Sequence, residues 1–332
     1  IIDDYNSDRI AETDGVGLSL AARAPWLLRS PRDPNTLFNA AEAAQPGDTR
    51  TLLWRTQLFL EKYDPGHAEE TLSELMEKAP YHPEALTWLA HVRLDQALDF
   101  DEAERLARAA LAQNSRLAAA YFVLAGIALR DMGLERADRF LDQGLATNPR
   151  DLPLLSLRAV VRFLADDVQG FERAKKAVLE HNPEYSELYA ILGEFADWEH
   201  RYDEIVVLMR EALAIDADDA GALAQLGFNL IRAGDETEGV SALSRAFSLD
   251  PYNVRVFNTL NLFDTVIPKA YASVRTPRFL IRYHKADQPL LERYVPQLLD
   301  RAFDAMKAGY GFAPETPVGI ELYAERQNFA IR

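Results

Sequence analysis

YFVLAGIALRDMGLERADRFLDQGLATNP, residues 121–149, reads as two helices joined by a short turn and closed by a proline. Moving outward from it, Pro149, Pro183, Ala217 and Pro251 fall at intervals of 34, and so do Ala125, Ala159, Gly193 and Gly227. Two independent classes of position share one period, which is the mark of a repeat array.

Physical chemistry explains both classes. Small side chains at Ala125, Gly193 and Gly227 let the first helix of each unit come close to the second. Leu124, Leu192 and Leu226 precede them on the buried face, while Ala212 and Ala246 supply small contacts from the second helix. The Pro near a unit's end stops the second helix, because it has no amide hydrogen and clashes with the preceding turn. Helical pairs at this spacing look like the tetratricopeptide repeat family, which implies an α-solenoid in which each unit buries its faces against its neighbours.

Upstream, Ala103, Ala107 and Ala110 ending at Ser115 predict one second helix, and Ala68, Leu72 and Leu75 ending at Pro80 predict another. The Pro80-to-Ser115 interval is 35, so one residue is inserted, placed between the helices in LDQALDFDEA (94–103). The unit at 152–185 departs from the pattern at Arg158 and Phe171 but still reads as a repeat. After Pro251 a further first helix, VRVFNTLNLFDTV, begins on schedule, and IPKAYASVRTP then breaks the pattern. The expected organisation is an irregular helical cap over 1–47, including LSLAARAPWLL and LFNAAEAA, then about six repeats plus an extra helix over 48–267. A partial α/β segment over 268–332 follows.

In that last segment Phe279, Ile281 and Tyr283 alternate with Leu280, Arg282 and His284, and Val318, Ile320 and Leu322 alternate with Gly319, Glu321 and Tyr323. Both runs have strand period. Between them Leu291, Tyr294, Val295, Leu298, Ala302 and Met306 recur at helical spacing, with Asp287 as the expected cap and Gly309 as the expected stop. Pro296 predicts a kink or a late start. The fold class is thus all-α, a helix-turn-helix solenoid followed by a short incomplete α/β segment, expected to belong to a chain that continues past Arg332. TPRFLIRYH, YGFAPETPVGIELY and NFAIR resemble the opening of the gluzincin (peptidase MA-like) metallopeptidase domain found downstream of such arrays in some bacterial proteins. The resemblance implies a zinc site on an H-E-x-x-H helix. The motif is absent here and would lie beyond Arg332, so none of that family's catalytic residues is carried over.

Composition narrows the functions. The 332 residues are 48% hydrophobic and 27% charged, with 52 acidic against 36 basic residues and a net charge of −16, a field that repels nucleic acid and anionic lipid. There are no cysteines, so thiolate chemistry and disulfides are excluded, and compartment stays open between cytoplasm and export. No apolar run is long enough to span a membrane and no leader is visible. His67 with Glu69, and His200 with Asp203 and Glu204, read as solvated surface pairs, not as metal ligands. DGVGLSL (14–20) lacks the Lys of a phosphate loop. No cofactor is expected.

In the tetratricopeptide register the first helices line a concave face, and the expected groove residues are Phe122, Leu129, Val160, Phe163, Glu187, Glu194, Asp197, Trp198 and Phe228. Apolar anchors would meet Phe163 and Trp198, and basic groups the three carboxylates. The other reading is that these aromatics pack within the solenoid or against the chain's own C-terminal segment. AQLGF (224–228) and AILGE (190–194) lack the Lys-x-x-Gly-Asn pattern of receptors for chaperone C-termini. A non-catalytic scaffold for a protein or peptide is one functional expectation. The other is the substrate-recruiting arm of a longer zinc metallopeptidase.

Overall fold

The computed structural model describes residues 5–7, 9–27, 34–62 and 64–331. The chain packs as two compact units, 1–222 and 223–332. Parts of the expected N-terminal cap, residues 1–4, 8 and 28–33, lie outside the described residues.

The first unit is a succession of helices: α1 (Gly15–Leu27), α2 (Pro34–Ala44), α3 (Thr49–Glu61), α4 (Pro65–Lys78), α5 (Pro83–Ala97), α6 (Phe100–Gln113), α7 (Ala118–Arg130), α8 (Leu134–Thr147), α9 (Leu152–Leu164), α10 (Val168–His181), α11 (Glu187–Trp198) and α12 (Tyr202–Ile215). Helix α13 (Ala220–Ala233) starts at its end and runs into the second unit. Successive helices pair as α1 with α2, α3 with α4, and onward to α11 with α12. Each second helix stops two residues before its repeat marker. Lys78, Gln113, Thr147, His181 and Ile215 precede Pro80, Ser115, Pro149, Pro183 and Ala217 in this way. There the next amide still reaches back one helical turn, as Asn148 N does to the Gly144 carbonyl at 3.2 Å, before the chain turns away. Aspartates restart the helices, Asp64, Asp99, Asp151 and Asp167 each accepting a backbone amide of the first turn.

The turns inside the hairpins carry a period that residue types conceal. Leu98, Met132, Asp166, His200 and Gly234 have φ of 51°, 54°, 53°, 59° and 97°, and stand 34 residues apart. A left-handed residue lets the turn reverse the chain in the fewest steps, and only Gly234 does so without steric cost. The same register locates the inserted residue. Pro80 to Leu98 is 18 residues where the following units have 17, so the insertion falls within α5, which has 15 residues against 13 in α7 and α9, and not between the helices. Arg158 and Phe171 fit because each has a partner. Arg158 reaches Asp142 at 2.7 Å, and Phe171 stacks with Phe163 at 5.5 Å.

In the second unit α13 meets α14 (Glu236–Leu249) through glycine on both sides. A Cβ on Gly227 would stand 2.8 Å from the Gly239 carbonyl oxygen, and one on Gly239 would stand 2.8 Å from that of Gly227. After α15 (Val254–Asn261), a π-helical turn (Leu262–Val266) and the short α16 (Ile267–Ala270) lead into the sheet. Its strands are β1 (Tyr271–Arg275), β2 (Phe279–His284) and β3 (Val318–Leu322), in the order β1-β2-β3. The β1/β2 pair is antiparallel with Ser273 opposite Arg282, and β2/β3 is parallel with Ile281 opposite Ile320. Strand β1 is an addition to the two strands expected. The parallel pair is joined through α17 (Gln288–Leu291) and α18 (Val295–Tyr310), and α19 (Arg326–Ile331) follows β3.

Three local expectations are corrected here. Asp287 makes no side-chain cap bond, and Gly309 lies inside α18, which stops at the left-handed Gly311 (φ 67°). Of the apolar positions, Leu291, Val295, Leu299 and Phe303 pack on Phe279, Ile281 and Tyr283, whereas Tyr294, Leu298 and Met306 are exposed. Pro296 marks a late start, since it sits in the first turn of α18, where its missing amide hydrogen costs nothing. On the opposite face of β2 the buried Arg282 bridges Glu321 at 2.5 Å and Glu236 at 2.7 Å. Burial alone would lower its pKa, but the two carboxylates more than offset this and raise it.

Candidate functional site

Between the first helices of the first unit lies a cleft of about 380 Å³. One wall is α5 and α7, with Trp88, His91 and Phe122, and the other is α11, with Glu187, Ile191, Glu194 and Phe195. Helices α7 and α11 belong to units two repeats apart and touch directly, so the first helices curl around this space. The hollow exists because α7 offers Ala118, Ala119 and Gly126 to it where larger side chains would fill it. Its volume is within the range of about 300–1,000 Å³ typical of ligand pockets.

The aromatic wall is continuous. Trp88 and His91 lie 5.3 Å apart between ring centroids, and His91 and Phe122 lie 6.0 Å apart. At the C-terminal end of α11, Arg130 pairs with Glu194 and lies over the rings of Phe195, at 5.2 Å, and Trp198, at 5.9 Å. The Trp198 indole N–H donates to the Arg130 carbonyl at 3.2 Å, and Phe100 meets that ring edge-on at 6.4 Å. Trp198 thus packs on the lining residue Arg130, with 41% of its surface still exposed.

Glu187 is different from Glu194. Its side chain lines the cleft and is exposed there, and among the described residues no hydrogen bond or ion pair joins its carboxylate. Desolvation raises its pKa above the usual carboxylate value, and the negative charges of Asp219 and Glu61 raise it further. The neighbouring Tyr185 phenol is pushed up by burial and then by Glu187 and Asp151. The cleft is an open, negative, aromatic-walled space.

Of the nine expected groove residues, Phe122, Glu187 and Glu194 line this cleft; Trp198 and Asp197 do not, Trp198 being packed on the lining residue Arg130 and Asp197 being half-buried. Leu129 and Val160 are 1% and 0% exposed, and have no surface to offer a ligand. Phe163, at 8%, is spent on packing, with the Arg201 guanidinium 4.1 Å above it. Phe228, also at 8%, is covered in the second unit by Arg255 at 4.1 Å. Trp88, His91, Arg130, Tyr185, Ile191 and Phe195 were not anticipated. The repeat could have found one of them, since Trp88 precedes Phe122 by 34 residues.

The histidines read as surface residues have local partners. His67 Nδ1 is 2.7 Å from Asp64, and His200 Nδ1 is 2.8 Å from the Tyr202 hydroxyl. Among the described residues no group of three His, Cys, Asp or Glu is placed to hold a metal ion, and no helix is long and apolar enough to cross a membrane.

Helical hairpins of 34-residue period, crossing at small residues, define the fold class. It is a tetratricopeptide-type α-solenoid followed by a short α/β segment. No family model matches the sequence, and no curated protein matches it. Among solved structures the chain is similar to a tetratricopeptide repeat protein from Parabacteroides merdae ATCC 43184. That match has a TM-score of 0.47 and 11% identity, and covers 75% of this chain and 98% of the other. It is also similar to the APC/C hetero-tetramer Cut9-Hcn1, with a TM-score of 0.47, 17% identity, and coverage of 74% of this chain and 48% of that one. TTC0263, a thermophilic TPR protein in Thermus thermophilus, matches with a TM-score of 0.39, 20% identity, and coverage of 64% of this chain and 96% of that one.

Proposed function

We propose that this chain is a non-catalytic scaffold that binds a peptide or a segment of a partner protein in the cleft between α5, α7 and α11. The observation that carries this reading is the cleft itself, an open hollow with a continuous aromatic wall and a carboxylate whose charge nothing among the described residues offsets. Apolar contact with Trp88, Phe122 and Ile191 supplies affinity, and the polar groups supply orientation. In the same reading the array over 48–267 is the recognition module, flanked by a cap over 1–47 and the α/β segment over 268–332.

The test is selection from a random peptide library on the wild-type chain and on Ala119→Trp. Ala119 is exposed on the cleft wall, so an indole there fills the space without disturbing the core. Wild type is expected to enrich a peptide family that the variant does not retain. Equal retention by both chains overturns the assignment of the cleft.

A further inference from the structure

We infer that the group the cleft receives is the guanidinium of a partner arginine, seated against Glu187 and the aromatic wall of Trp88, His91 and Phe122; this rests on the cleft being the peptide site. Three arginines elsewhere in the chain pair with carboxylates beside aromatic rings. Arg130 joins Glu194 while lying over Phe195 and Trp198. Arg201 bonds Glu204 at 2.6 Å while lying 4.1 Å from the Phe163 centroid. Arg282 bonds Glu236 and Glu321 beside Phe263, at 5.8 Å. In each case a guanidinium donates to carboxylate and lies over a ring.

Glu187 faces the rings of Trp88, His91 and Phe122 across the cleft and lacks the cation. The charges acting on it are Asp219 and Glu61, both negative, so the site attracts a cation and none of the described residues supplies one. Arginine fits better than lysine for two reasons. Guanidinium is more weakly hydrated than ammonium, so it leaves water for an aromatic wall at less cost. It also stacks on an aromatic face and pairs with a carboxylate at the same time, whereas ammonium is a point charge. The net charge of −16 draws a basic segment toward the chain at long range.

The experiment takes the peptide selected from the random library and resynthesises it with each arginine replaced in turn by citrulline, which keeps the shape and loses the charge, or by lysine. Binding is measured to wild type and to Glu187→Gln by fluorescence anisotropy. One arginine position is expected to dominate. Citrulline there weakens binding to wild type by about 10- to 100-fold, the size of a charge-assisted hydrogen bond. Glu187→Gln weakens the arginine peptide by a similar factor and makes the citrulline change nearly silent. Selected peptides without arginine, or citrulline and arginine forms bound equally, overturn the inference and leave the peptide-binding reading standing. A library from which wild type enriches nothing overturns both.

Discussion

Substituting Gly227 and Gly193, equivalent positions one repeat apart, tests the account of helix packing, because the same change to alanine is expected to have opposite signs. In a helix interior, Gly→Ala gains about 1 kcal/mol of intrinsic propensity. At Gly227 the new Cβ would lie 2.6 Å from Leu243 Cγ and 2.8 Å from the Gly239 carbonyl oxygen, where ordinary carbon contacts are about 3.5–4.0 Å. Leu243 is fully buried and the carbonyl is backbone, so neither can rotate away and the helices must separate. Overpacking of this kind costs roughly 1–3 kcal/mol. With two close contacts the upper half of that range applies, leaving Gly227→Ala destabilised by about 1–2 kcal/mol. At Gly193 the nearest atom is Met209 Cε at 3.0 Å, the free end of a flexible side chain. Gly193→Ala is therefore expected to be neutral, or stabilised by up to about 1 kcal/mol. Urea denaturation gives both values. Because repeat arrays unfold in segments, amide hydrogen exchange over 236–249 provides the local reading for Gly227→Ala. Equal stability of the two variants, or a Gly227→Ala chain more stable than wild type, would refute the reasoning.

Three further outcomes are expected. Met132→Gly removes about 1 kcal/mol of left-handed strain against roughly 0.5 kcal/mol of added chain entropy, so a small rise in thermal midpoint should appear on differential scanning calorimetry. Arg282→Ala leaves Glu236 and Glu321 without their shared cation and should lower the urea unfolding free energy by about 3 kcal/mol. Glu187 has a folded pKa above its unfolded one. Its charged form therefore opposes folding at neutral pH, and that penalty is relieved as pH falls through the raised folded value. Glu187→Gln should accordingly melt higher than wild type at pH 7. The gap should close as pH approaches the ordinary carboxylate range, and a gap that widens on acidification contradicts the assignment.

The helices could be read from sequence because their cause is local, with small residues and helix stops recurring every 34 positions. The left-handed turns could not, since Leu98, Met132, Asp166 and His200 share a backbone conformation and no side-chain chemistry. Strand β1 was hidden by weak alternation in YASVR directly after helix. In α18 two apolar stripes lie side by side, Tyr294–Leu298–Met306 and Val295–Leu299–Phe303. Only the position of the sheet decides which is buried. The cleft was partly legible for a related reason. The register indicated which helices face it, giving Phe122, Glu187 and Glu194, but not which residues on those helices their neighbours cover. Leu129, Val160 and Phe163 are buried, whereas Trp88 lines the wall.

The central claim is that a partner segment occupies the cleft. The most direct measurement is photo-crosslinking of a library-selected peptide carrying a benzophenone, with the modified residues mapped by mass spectrometry. Crosslinks are expected on α5 at Trp88 and His91, on α7 at Ala119 and Phe122, and on α11 at Glu187 and Glu194, all lost with Ala119→Trp. Crosslinks confined to the outer second helices or to residues 268–331, unchanged by that substitution, would contradict the account.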